Sequence, residues 1–108
     1  MPVSHQLILC TCPDKESAEK LATELVSHQL AACVNILPNL TSIYRWLDTI
    51  EIAQEQLMLI KANKSLYPDI EALIRQNHPY QTPEIIAVAI ENGLLEYLQW
   101  IDSCHLKK

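Results

Sequence analysis

Apolar and polar positions along the chain follow two periods. Gln6–Thr11 alternates loosely, the pattern of a buried strand. Pro13 breaks that run, and Asp14 is placed to cap a helix over Asp14–His28. Within it Ala18, Leu21, Ala22, Leu25 and Val26 recur at i, i+3, i+4, i+7 and i+8 as one apolar stripe, with Lys15, Glu16, Glu19, Lys20 and Glu24 on the wet side. Ala32–Ile36 reads as the next strand. Pro38 marks a bend or bulge in a long edge strand that resumes at Leu40–Leu47. Leu47-Asp48-Thr49 turns the chain without a glycine, and Ile50–Lys61 returns it. Ser65 is expected to cap a second helix, Ser65–Asn77, with Pro68 in its first turn and Leu66, Ile70, Leu73 and Ile74 as its stripe. Leu94, Tyr97, Leu98 and Ile101 mark a last short helix that ends near Cys104.

The stretch His78–Ile90 organises the rest. Pro79 and Pro83 frame a polar loop, and the unbroken apolar run Ile85–Ile90 follows at once. Each proline fixes its own φ and pushes the preceding residue toward extended geometry, so His78 ends the second helix and Thr82 enters the strand extended. A β-branched run without period-2 polarity predicts a central strand buried on both faces. The loop then holds His78, Tyr80 and Glu84 stiffly at the end of that strand, a suitable place for a binding site.

The order strand, helix, strand, strand, helix, strand, with one extra C-terminal helix, is the split βαβ or ferredoxin-like pattern. It predicts an α+β sandwich: a four-stranded antiparallel sheet carrying both main helices on one face. At this length the chain, 1–108, is expected to form a single domain. The long β-hairpin Leu40–Lys61 exceeds what a small sheet needs. Tyr44, Trp46, Leu47, Ile50 and Ile52 along it leave an apolar edge unless another chain covers it. Closing subunits into a ring removes every such edge, so an oligomer is expected, with the last helix over the seam.

Charge and cysteine usage narrow the partners. The net charge is −5 and no basic run occurs, so nucleic acid is not an expected partner. No apolar run reaches spanning length, and Leu7–Cys10 is too short, and lacks the basic flank, for a signal peptide; the expectation is a cytoplasmic protein with no membrane partner. Cys10, Cys12, Cys33 and Cys104 lack C-x-x-C spacing and are too sparse for a disulfide scaffold; in a cytosol they stay reduced. The single glycine, Gly93, excludes a glycine-rich phosphate loop.

LCTCPDKESAEKLA, LAACVNILPNLTSIYRW, LMLIKANKSLYPDIEALIRQNHPYQTPEIIAVAI and YLQWI together resemble the CutA divalent-cation-tolerance family over nearly the whole chain. The resemblance implies a ferredoxin-like subunit, a tight homotrimer and an architecture like that of PII-type signalling proteins. It implies tolerance of copper and other divalent cations, as in bacterial members, or anchoring of a membrane enzyme, as in animal ones. No reaction is firmly attached to the family. The copper positions that it implies, a first-strand cysteine and two adjacent histidines, fall on Cys10, Asn77 and His78, so one histidine is replaced by asparagine. Members usually carry a glycine where this chain has Leu47-Asp48-Thr49.

The residues themselves allow bland and chemical roles. Cys10 and Cys12 are two apart on a strand and share a face. Cys10 and His78, with Glu84 as a third ligand, suit copper or zinc; the commoner role of buried cysteines is as small core residues, and Cys33 in its Ala-Ala-Cys-Val run is expected to be one. His78 either ligates or caps the carbonyls at its helix end. Glu84 either ligates or pairs with Lys61 or Arg75, and pairing is favoured. Tyr44, Trp46, Lys61, Tyr80 and Glu84 are the cleft and interface candidates, Trp46 being best suited to packing between subunits. His5 and His105 are expected to be solvated, and Cys104 with Lys107 and Lys108 forms no recognisable site. Cys10 with His78 could supply a nucleophile and base, but nothing in the sequence fixes their geometry, and Arg45 and Arg75 follow no phosphate-loop pattern, so catalysis has little support. The expected function is therefore a non-enzymatic trimer binding a divalent metal, copper first, or a small ligand in inter-subunit clefts. A scaffold or interaction trimer, or a small-ligand signalling protein, is the alternative, and a small hydrolase the least favoured.

Overall fold

A computed structural model describes residues 4–105. In chain order it contains β1 (His5–Cys12), α1 (Lys15–Ser27), β2 (Cys33–Trp46), β3 (Thr49–Asn63), a 3₁₀ turn (Lys64–Leu66), α2 (Tyr67–Asn77), β4 (Ile85–Ala89) and α3 (Leu95–Ser103). The strands form one antiparallel sheet in the order β2-β3-β1-β4. This is the split βαβ arrangement that the element order predicts.

Local chemistry sets the helix ends. Asp14 is extended, and its Oδ1 accepts the Ser17 N–H at 2.7 Å, which starts α1. At the other end Gln29 takes φ 60°, and the Leu30 and Ala31 N–H groups close onto the Leu25 carbonyl. The second helix departs from expectation. Ser65 caps nothing; Asn63 Oδ1 accepts the Ser65 N–H at 2.9 Å and opens the 3₁₀ turn, so that α2 begins only at Tyr67 with Pro68 beside it. The short Asn63 amide captures the N–H two residues on before a helix can use it.

Ile8, Cys10 and Cys12 of β1 and Met58, Ile60 and Ala62 of β3 point to one face, where they pack with Ala18, Leu21 and Leu25 of α1 and Ile70 and Ile74 of α2. Both main helices therefore lie on that face. Val26, expected on the stripe, is largely exposed, and Cys33, expected in the core, is half-buried.

The hairpin is long and its tip stands free. β2 and β3 pair from Cys33↔Lys61 to Trp46↔Thr49, while β1 covers β3 only from His5↔Asn63 to Cys12↔Gln56. The bulge falls between Leu37 and Leu40, as Pro38 predicts, with Asn39 at φ 59°. Leu47 at φ 56° supplies the left-handed residue of the glycine-free turn.

The apolar strand is placed differently from expectation. β4 is an edge, paired only with β1, and Ile86 and Val88 are 51% and 48% exposed within the subunit. β1 and β3 take the centre. An apolar strand looks the same in sequence whether its own chain or another surface covers it.

Candidate metal centre

The site assembles where β1 ends. Alternation along β1 sends Cys10 and Cys12 inward together, and Met58, directly opposite Cys10 in the β1–β3 register, points inward beside them. His78 arrives from the loop after α2. Its N–H still closes the helix on the Ile74 carbonyl, but the residue before Pro79 is extended, at ψ 140°, which ends α2 there. The imidazole lies against the end of β1, buried to 8% exposure. Ligand atoms of Cys10, Cys12 and His78 all lie within 4.8 Å of one another. Cys12 Sγ is 3.7 Å from His78 Nε2 and 3.5 Å from Met58 Sδ.

Hydrogen bonds fix the histidine tautomer. The Tyr80 N–H donates to Nδ1 at 3.0 Å, so the ring proton sits on Nε2, which donates to the Thr11 carbonyl at 2.7 Å. His78 thus caps a carbonyl, that of β1 rather than one of its own helix. The Tyr80 ring leans on His78 at 4.9 Å between centroids, and its hydroxyl donates to Glu55 Oε2 at 2.8 Å. Burial, with the Glu55 hydrogen bond added, pushes the Tyr80 phenol up.

The two cysteines influence each other: interaction with Cys12 and burial push the Cys10 thiol far up, and interaction with Cys10 draws Cys12 down. The charges acting on the pair are carboxylates: Glu84 and Glu55 on Cys10, Asp14 and Glu55 on Cys12. Such a field favours a cation over an anion. Two thiols, a thioether and an imidazole are the soft donors that copper and zinc take. Occupation would require a ligating thiol to lose its proton, and His78 to give up either Thr11 or Tyr80.

The other candidates stand apart. Asn77 is exposed and its Nδ2 donates to Leu73 O at 2.8 Å, so it is not brought to the cluster. Glu84 is exposed; it acts on Cys10 through its charge, while Cys12 rather than Glu84 stands third beside Cys10 and His78. The expected pairing of Glu84 is not made: Lys61 Nζ is 3.4 Å from the Tyr97 hydroxyl, and Arg75 does not reach it. Trp46 lies at the hairpin tip, its Trp46↔Thr49 pair nine residues along β3 from Met58, about 30 Å at ~3.3 Å per residue, while Tyr44 is near enough to act on the Tyr80 phenol. His5 and His105 are not solvated; His5 Nε2 is 2.9 Å from Asp102 Oδ1, and His105 Nε2 accepts the Asn63 N–H at 2.6 Å. Lys107 and Lys108 lie outside the described residues. Sequence reasoning missed two residues. Met58 hides in the apolar run Leu57–Ile60, and Glu55 looks like one more polar residue of an exposed strand. Cross-strand register is the signal that finds Met58.

The family model described as CutA1 divalent ion tolerance protein matches residues 6–104. Over 101 residues the chain is 43% identical to human Protein CutA, covering 94% of this chain and 56% of that one, so it spans little more than half of that relative. It is 44% identical over 97 residues to the Divalent-cation tolerance protein CutA of Thermus thermophilus, covering 90% of this chain and 94% of that one. The crystal structure of CutA1 from the psychrotrophic bacterium Shewanella sp. SIB1, 42% identical, superimposes with a TM-score of 0.95 over 99% of this chain and 100% of that one.

Proposed function

This chain belongs to the CutA1 divalent ion tolerance family, and we propose that it binds a divalent cation, copper first, at Cys10, Cys12 and His78. The convergence of these three donors within 4.8 Å carries the proposal. The family's description names ion tolerance and no reaction, and in our reading the protein is not an enzyme. We assign it one domain over 1–108, a cytoplasmic location that keeps its thiols reduced, and a PII-like homotrimeric assembly with clefts between subunits lined by Tyr44, Trp46, Lys61, Tyr80 and Glu84. The uncovered hairpin tip and β4 support that assembly. A second reading, a scaffold or small-ligand trimer with incidental metal binding, is favoured by one observation: both ring nitrogens of His78 are already bonded.

Titration of the reduced protein with copper(II) and zinc(II) tests the metal proposal. One equivalent per chain is expected, and Cys10→Ala should weaken binding about tenfold or more, the scale on which partners at metal sites act. An unchanged isotherm for Cys10→Ala sinks the site. Asn77→His should leave affinity within about twofold, because position 77 faces solvent.

A further inference from the structure

The proposed metal site has a donor set and a geometry that say which kind of ion it takes. Cys10 and Met58 are cross-strand partners, Cys12 lies on the same face, and none of the three is exposed at all. Two sulfurs that share one ion at about 2.3 Å lie at most about 4.6 Å apart. The 3.5 Å between Cys12 Sγ and Met58 Sδ fits that limit, and the Cys10 sulfur lies within 4.8 Å of Cys12. Oxygen donors are committed elsewhere. Glu55 accepts from the Tyr80 hydroxyl, Glu84 is exposed, and the Thr11 carbonyl accepts from His78.

Resting on the assignment of a metal to this cluster, we propose that Cys10, Cys12 and Met58 form a dry three-sulfur site for a soft monovalent cation, copper(I) being the physiological candidate. Thiolate and thioether donors select copper(I) over harder ions. A tetrahedral divalent ion such as zinc(II) needs a fourth donor. The nearest is His78, which would have to break its bond to Thr11 or Tyr80. A monovalent d¹⁰ ion is content with two or three sulfurs, so His78 keeps both hydrogen bonds and β1 stays tied to the loop after α2. Each thiol that ligates releases its proton to solvent, and no electron moves, because the ion enters already monovalent.

The test uses the full chain carrying Cys33→Ser and Cys104→Ser, so that the remaining thiols do not compete. Silver(I), and copper(I) against a chromophoric chelator, are titrated without oxygen, with zinc(II) in parallel. One monovalent ion per chain is expected, with three sulfur neighbours in copper X-ray absorption. Met58→Leu conserves volume and should keep the fold. It should weaken silver(I) and copper(I) about tenfold or more and leave zinc(II) within about twofold. Unchanged monovalent affinity in Met58→Leu, or an equal loss for zinc(II), overturns the three-sulfur site. Retention of zinc(II) or copper(II) alone overturns it while leaving the divalent reading standing. Failure of every ion to bind overturns both.

Discussion

Glu55 is 7% exposed, and the Tyr80 hydroxyl is the side-chain donor that reaches it. A buried carboxylate without a donor is costly, so Tyr80→Phe should destabilise the protein by about 1–3 kcal/mol, toward the lower figure because Tyr80 is itself partly exposed. Tyr80→Phe/Glu55→Leu should lose less than Tyr80→Phe alone, since removing both partners leaves nothing unpaired. Denaturant unfolding of the three proteins measures this, and a double variant weaker than the single would count against it. At this scale the sequence exposed what depends on neighbours along the chain. Pro79 and Pro83 make the position of His78 readable, and the i, i+2 spacing makes Cys10 and Cys12 readable. Glu55 and Met58 were not readable, because their environments come from strand register and from a loop more than twenty residues away.

Among the elements, α3 is held by a polar knot rather than by its apolar stripe alone. Asp102 Oδ1 accepts from His5 Nε2–H at 2.9 Å and from Asn63 Nδ2–H at 3.1 Å, and the Asn63 N–H donates to His105 Nε2. β1, the end of β3 and the C-terminal end of α3 are thereby joined. His105 must be neutral at Nε2 to accept. Burial pushes its pKa below the usual 6.5, with Asp102 and the Gln29 backbone opposing and His5 adding to the fall. The sign follows. A histidine depressed in the fold contributes stability that is fully present above its unfolded pKa and is lost as pH falls through the folded value. Stability should therefore decline below about pH 6.5. His105→Gln retains an acceptor for Asn63 and should flatten that decline; unfolding free energies from pH 7.5 to 5 check it, and parallel wild-type and variant curves would refute it. The periods of α1, α2 and the hairpin were legible because local burial generates them. The sheet position of β4 was not, because an apolar run reports that it is covered without reporting by what.

For the whole molecule, shape and surface chemistry point the same way. The extents are 44 × 25 × 22 Å and the radius of gyration is 14.5 Å, against about 13 Å for a compact chain of this length. The excess lies in the hairpin beyond the reach of β1. The sheet face opposite α1 and α2 is apolar as well: Leu9 pairs with Ile86, Leu7 with Val88, and Leu57 with the largely exposed Leu37. Trp46, at the tip, is 63% exposed, and Tyr97 and Trp100 of α3 stack at 5.5 Å with outward surface free. On that face α3 covers only the end of β3, through Lys61 and Asn63, and the exposed Ile86, Val88 and hairpin tip leave room for a second layer. Three copies that close a ring supply it and leave no strand edge open. In the proposed ring, folding and assembly would be linked, and stability would depend on protomer concentration. Trp46→Asp would bury an unpaired charge in that contact and should dissociate or unfold the protein. Sedimentation of the wild type as a stable monomer at low micromolar concentration would overturn the ring, as would a Trp46→Asp variant that stays trimeric with unaltered thermal stability.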